Sequence, residues 1–380
     1  MKLIYFPLDQ IRPVGGPAGY LYNLKSGLDT VGSAEVEFLP PRGRSFADSG
    51  MVRRLVPEWM KESRRLRRLL ELPDRKVAVP DSVADYDTIH FHSTEDLYLC
   101  RDFLRTYSGR VLLTSHSPCV YHQELISRLS PTFIGRNVEG LKRLEILDSY
   151  AFERADIVVM PCREAEEPYY HSWPRYSAIR QESKLRYVPT GIMPARAVED
   201  RERVRSKYGI PESAFVFCFA GRHNVIKGYD SLLEVAPALL HNSDVWFLIA
   251  GRERPLKGIN HPRWVEVGWT PDPYSLISAS DVFVLPNRET YFDLVMLEAL
   301  SLGAYVVASR TGGNKYFERF GSAGIVLFDG SQTLQEVLTR VLATTHRERA
   351  SAGEENARLF REEFTNACFA DRYLSLLDSI

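Results

Sequence analysis

The chain reads as an α/β protein built on two parallel-sheet domains, and three observations predict it. Short apolar runs recur from end to end, each followed by a glycine-bearing or polar turn and then a helical pattern, the order that makes parallel sheets. The stretch from Ser280 to Gly313 shows one such unit whole: a strand (Val282 to Leu285), a polar loop, a helix opened near Tyr291 and stopped at Gly303, a second strand (Tyr305 to Ala308) and a Gly312-Gly313 turn. At 380 residues, with about 150 per domain as the prior, two domains are expected.

Composition narrows the class. Hydrophobic residues at 44% and charged residues at 26% are those of a water-soluble globular chain with real cores. A net charge of −1 supplies no global field toward nucleic acid, so any anion binding is local. The five cysteines (Cys100, Cys119, Cys162, Cys218, Cys368) are scattered without a CxxC, which points to reduced thiols in the cytoplasm and away from a structural zinc site. The opening MKLIYFPLDQ is a strand rather than a signal peptide, since its apolar run is short and Asp9 follows. No run reaches the roughly 18 apolar residues of a membrane span.

In the N-terminal half, a strand from Leu3 to Phe6 enters the turn Gly15-Gly16-Pro17-Ala18-Gly19 and then a helix from about Tyr20 to Leu28. Such a turn lets backbone N–H groups approach an anion, and it also serves a plain tight turn. Between Arg53 and Arg68 seven bases (Arg53, Arg54, Lys61, Arg64, Arg65, Arg67, Arg68) face two acids (Glu58, Glu62), while Leu55, Trp59, Leu66, Leu69 and Leu70 recur near helical spacing. This basic amphipathic pattern over residues 53–70 suits an anionic membrane surface, and equally a helix packing its leucines on the core. Two strands then end in histidines: Tyr86 to Ser93 delivers His90 and His92, and Arg110 to Ser117 delivers His116. Further strands read at Ala155 to Met160 and Leu185 to Ile192, and the proline-bounded residues 193–211 suit an interdomain connection.

In the C-terminal half, the strand Phe215 to Ala220 ends in Gly221-Arg222-His223-Asn224-Val225-Ile226-Lys227-Gly228, with a helix from Tyr229 to Leu240. A guanidinium, an ammonium and backbone N–H groups thereby share one loop at a helix N-terminus, where they can converge on phosphate oxygens or stand in solvent as basic loop residues commonly do. Strands at Val245 to Ala250 and Trp264 to Trp269 follow, the latter leading through Gly268 and Trp269 to Pro271. Trp269 can stack on a ligand ring or fill a core. Inside the apolar helix near residue 298, Glu298 needs a hydrogen-bond partner if buried, and a ligand hydroxyl is one candidate.

These motifs together resemble glycosyltransferase family 4, the glycosyltransferase group 1 type, whose members are retaining, metal-independent enzymes of the GT-B fold. In the 280–313 stretch Pro286, Phe292, Glu298, Ala299, Gly303, Val306, Val307, Ala308, Gly312 and Gly313 fall in register with the family's donor-sugar segment. The family's first glutamate position, eight residues before Glu298, is Thr290 here, with Glu289 one residue early, and the glycines flanking the family's phenylalanine are Tyr291 and Asp293. Gly221-Arg222 to Lys227-Gly228 matches the diphosphate motif, Gly15-Gly16 the first-loop glycines, Thr114-Ser115-His116 a strand-end Thr-x-His, and Val188 to Ile192 the strand closing the first domain.

The resemblance implies two Rossmann-like domains facing across a cleft: an acceptor-binding domain over 1–192, a linker over 193–211, a nucleotide-sugar domain over 212–360, and a last helix over 361–380 returning to the first domain. It implies Arg222, Lys227 and His116 as catalytic groups, with Glu298 on the ribose. Gly15, Gly16, Gly268 and Trp269 would hold the rest of the nucleotide, and Glu289, Thr290, Tyr291, Phe292, Asp293 and Leu294 would line the sugar. His90 and His92 fall on the acceptor side. No metal or other cofactor is expected, because fixed cations can carry the leaving diphosphate's charge. The expected partners are a nucleotide sugar, UDP-linked first, and a glycan or lipid-linked acceptor. The expected place is the cytoplasm, with peripheral contact at the inner membrane face. A nucleotide-sugar 2-epimerase of the same architecture and a non-catalytic partner subunit stay open at this level.

Overall fold

A computed structural model describes residues 1–7, 11–13, 15–39, 57–253 and 255–380. It contains two six-stranded sheets, both parallel throughout. The first runs β2-β1-β3-β4-β5-β6, from β1 (Lys2–Tyr5), β2 (Val36–Phe38), β3 (Thr88–Phe91), β4 (Arg110–Leu113), β5 (Ile157–Met160) and β6 (Leu185–Tyr187). The second runs β12-β11-β10-β7-β8-β9, from β7 (Phe215–Ala220), β8 (Val245–Ala250), β9 (Trp264–Gly268), β10 (Val282–Leu285), β11 (Val306–Ser309) and β12 (Ile325–Phe328). The central strands are buried on both faces, which is why they read as continuous apolar runs without alternation.

Strand order places the site in each sheet. In the second, the chain leaves β7 for β8 and β9, then returns to add β10 on the other side of β7. The loops after β7 and β10 therefore emerge side by side at the carboxyl edge, at the point where strand order reverses and α/β sheets collect ligands.

The compact units are not contiguous in sequence. One comprises Met1–Leu21, Gly32–Met160 and Pro168–Tyr187; the other adds Tyr22–Val31 and Pro161–Glu167 to Val188–Ile380. Helix α1 (Gly16–Val31) starts four residues earlier than the apolar pattern suggests, because Gly15 turns into the helix in the left-handed region at φ 82°. Helix α2 (Glu58–Glu71) points Leu66 and Leu69 into a core with Leu72, Tyr98 and Leu144. Its leucines are thus spent on packing, correcting the picture of an apolar face lying in a membrane; what stays outside is Trp59, 64% exposed, and Arg64, Arg65, Arg67 and Arg68. Arg53 and Arg54 lie outside the described residues.

Residues 193–211 also differ from a simple linker. They hold helix α3 (Arg201–Lys207), capped by Asp200, whose carboxylate accepts from the Arg203 N–H. The buried Arg205 guanidinium donates to the carbonyls of Ala279, Pro211, Glu212 and Ala214, and pairs with Asp281 at 2.9 Å. A full set of acceptors is what makes a buried guanidinium tolerable.

Candidate active site

In the second unit the loop after β7 is shaped by Gly228, which adopts φ 63° and begins helix α4 (Tyr229–Leu240). A Cβ there would collide with the Pro286 carbonyl, so glycine is what lets this loop lie against the loop after β10. The two are tied by Arg288 N–H donating to the Ile226 carbonyl at 3.0 Å, and Asn224 holds the Lys227 N–H at 2.9 Å. Lys227 Nζ is thereby brought to Asp293, 2.7 Å from Oδ1 and 2.6 Å from Oδ2, while Asn287 Nδ2 donates to Oδ2 at 2.5 Å. Burial pushes the Asp293 carboxyl up, but Lys227 and Asn287 more than offset it, and the group is held below its ordinary value. Arg222, on the same loop, is exposed, and its guanidinium pairs with none of the described residues.

Helix α5 (Leu294–Ser301) starts three residues later than the pattern suggests, with Asp293 at its N-cap and its carboxylate turned to Lys227 instead of to the helix. Glu298 sits one turn in, half-buried among the buried Met296, Leu297, Ala299 and Leu300. Tyr274 donates to Glu298 Oε1 at 3.2 Å, yet burial dominates and its pKa is pushed up to about 7. The rings of Tyr291 and Phe292 are buried, Phe292 stacked on Phe317, so neither ring lines an open surface. Thr290 is fully buried with its hydroxyl unpartnered, while Glu289 and Leu294 are half-buried. At the end of β9, Gly268 turns at φ 76° and leaves Trp269 64% exposed, which removes the alternative of a core tryptophan.

In the first unit Gly15 and Gly16 are exposed, with open space where a Cβ would stand. Tyr20, on the first turn of α1, sets its ring edge-on to His116 with centroids 4.5 Å apart. His116 adopts φ 57°, a strained backbone for a non-glycine residue. His92 Nδ1 meets His116 Nε2 at 2.8 Å, and His90 Nε2 meets the Thr114 hydroxyl at 2.9 Å. His90 and His92 are themselves 1% exposed, so they do not offer an acceptor a surface; they lie behind His116. Burial holds both His90 and His116 down to about 3, and His92 well below its ordinary value, so all three rings are neutral. Among the described residues no group of three or more His, Cys, Asp or Glu side chains is arranged to hold a metal ion.

Residues 214–344 match the family described as glycosyl transferases group 1. A D-inositol 3-phosphate glycosyltransferase of Corynebacterium urealyticum is 27% identical over 80% of this chain and 77% of its own length. Another, glycosyltransferase 1 of that name from Catenulispora acidiphila, is 31% identical over 34% of this chain and only 35% of its own length. The match to the group 1 glycosyltransferases thus covers residues 214–344, the stretch that holds Arg222, Lys227, Asp293 and Glu298. The chain's fold is GT-B: sucrose-phosphate synthase from Thermosynechococcus elongatus superposes with a TM-score of 0.67 at 16% identity, covering 100% of this chain and 98% of that one. Anabaena HepE, solved in complex with UDP and glucose, gives 0.63 at 16% identity with full coverage of both chains.

Three partners at this site escape a reading of motifs. Asp293 clamps Lys227, Asn287 braces Asp293, and Tyr274 bonds Glu298. The available signal was Asp293 itself, a charge standing where the resembling motif has a glycine. Glu298 also yields a test. Its pKa, raised to about 7, means a native state that holds its proton above the range where the unfolded carboxyl loses it, so stability falls as pH rises toward 7. Glu298→Gln is expected to remove that fall, raising Tm at pH 8 relative to the parent and leaving it near the parent's at pH 4. Thermal melts across that range check it, and a parallel shift at both pH values would contradict it.

Proposed function

We propose that the chain is a retaining, metal-independent glycosyltransferase that moves a sugar from a nucleotide-diphosphate donor, UDP-linked first, to a glycan, lipid-linked or protein-linked acceptor in cell-surface glycan synthesis. The observation that supports the reading is that the loop bearing Arg222 and Lys227 meets the loop after β10 at the reversal point of the second sheet, where Lys227 Nζ lies 2.6 Å from Asp293 at the start of α5. A diphosphate leaving group gathers negative charge as its bond to the sugar breaks, and fixed cations in a partly dry site stabilise that charge without reorganising. Glu298 would accept from ribose hydroxyls, Trp269 would stack on the base, and the Gly15-Gly16 turn with His116 would serve phosphate and sugar from the first unit's own edge. The solved complex of HepE with UDP and glucose supports the donor class.

The exposed base-rich side of α2 adds a proposed electrostatic contact with anionic membrane, resting on charge and Trp59 alone. Co-sedimentation with anionic vesicles at low salt that is lost at high salt is the expected behaviour.

The deciding experiment incubates purified protein with a panel of nucleotide sugars and candidate acceptors, with and without EDTA, and reads the anomer of the product. Transfer with retained configuration that survives EDTA is expected. Abolition by EDTA would remove metal independence, and an inverted product would remove retention. A donor epimerised in the absence of acceptor would point to an isomerase, and inertness across the panel to a non-catalytic subunit.

A further inference from the structure

We propose that Asp293 selects the donor by charge, admitting neutral or amino sugars and excluding acidic ones such as uronates. The inference rests on the donor reading of this loop.

Both Asp293 oxygens lie within 2.7 Å of Lys227 Nζ, and Oδ2 also accepts from Asn287 at 2.5 Å. The Asp293 side chain is 19% exposed and that of Lys227 21%, so the pair sits at a half-buried surface reachable by a ligand. A diphosphate oxygen that approaches Lys227 competes with Asp293 for the same ammonium. The sugar joined to that diphosphate begins one bond beyond the phosphate oxygens, which puts its hydroxyls within reach of the carboxylate that Lys227 now only partly satisfies.

Oδ1 then has a lone pair for a hydroxyl or ammonium donor, and charge-assisted bonds of this kind are stronger than neutral ones. A sugar carboxylate in the same place would meet a fixed negative charge, while Asn287 is committed to Oδ2, Arg288 is paired with Asp230, and Arg222 and Lys227 are taken by the diphosphate on this reading. Glycine, which the resembling motif has at this position, would impose no such bar. Asp293 therefore both quiets Lys227 before the donor arrives and filters what arrives with it.

The test measures binding of UDP, UDP-glucose and UDP-glucuronate by calorimetry to the full chain and to Asp293→Asn and Asp293→Gly. The parent is expected to prefer UDP-glucose over UDP-glucuronate by about 100-fold or more, the scale of a like-charge contact. Both variants should narrow that gap to about tenfold or less, while UDP affinity holds or rises because Lys227 loses its internal anion. The asparagine variant keeps the side-chain shape, so its melt should stay near the parent's even if the glycine variant is less stable. An unchanged preference in both variants, or a parent that takes both sugars equally, overturns the proposal while leaving the donor reading intact. Failure of the parent to bind UDP overturns the donor reading and this inference with it.

Discussion

Lys227→Ala is expected to slow sugar transfer by about 100- to 1,000-fold, the cost of removing one preorganised group that meets developing negative charge. Two restraints hold the ammonium: Asn224 fixes its backbone and Asp293 fixes its head. Truncation has a second consequence, because Asp293 would be left as an unpaired, half-buried carboxylate facing the incoming diphosphate. Some loss would then come from repulsion and some from missing stabilisation. The double variant Lys227→Ala with Asp293→Asn separates them: binding should recover toward the parent's while kcat stays low. Arg222→Ala is the companion, since an exposed guanidinium without a protein partner contributes little to folding, so Tm should hold while kcat/KM falls. Transfer rates and melts on all three check this. Parent-like kcat in Lys227→Ala would show that the loop does not carry the leaving group.

Much of this was legible from residue order. The double-sided apolar strands, the turns after them and the glycine-led loops follow from patterns within a few residues, and they mark both sheets and the carboxyl edge where Arg222, Lys227 and Glu298 lie. What was hidden depended on which loops the sheet order brings together. Lys227 and Asp293 are 66 positions apart, and they meet only because β10 returns to the far side of β7. Side-chain direction was hidden too. A leucine stripe with arginines between fits a membrane or a core equally until the strands beneath it are placed, and Trp269 could have pointed either way. His90 and His92 flank Phe91 in sequence, but their burial behind His116 comes from the residues that follow the adjacent strand β4, where Thr114 and His116 stand. The late start of α5 has the same origin: Asp293 is drawn to a cation outside its own segment.

Gly228→Ala is expected to destabilise the chain by about 3 kcal/mol and to disable the site with it. Two costs add. A left-handed backbone at φ 63° strains any residue with a Cβ, by about 1–2 kcal/mol. The new methyl would also run into the Pro286 carbonyl, and crowding of this kind costs about 1–3 kcal/mol because backbone cannot step aside as a side-chain tip can. Gly321→Ala isolates the first cost, since Gly321 has nearly the same φ, 61°, with nothing within 4 Å of the point where a Cβ would stand. The difference between the two melts therefore reports the contact between the loops after β7 and β10. Relief of the collision requires the 221–228 loop to lift away from residue 286, which carries Lys227 off Asp293 and out of reach of the phosphate, and misplacement by about 1 Å can cost 100-fold in rate. Equal melts for the two variants, with transfer retained in Gly228→Ala, would mean that these loops are not held together by the absence of a side chain.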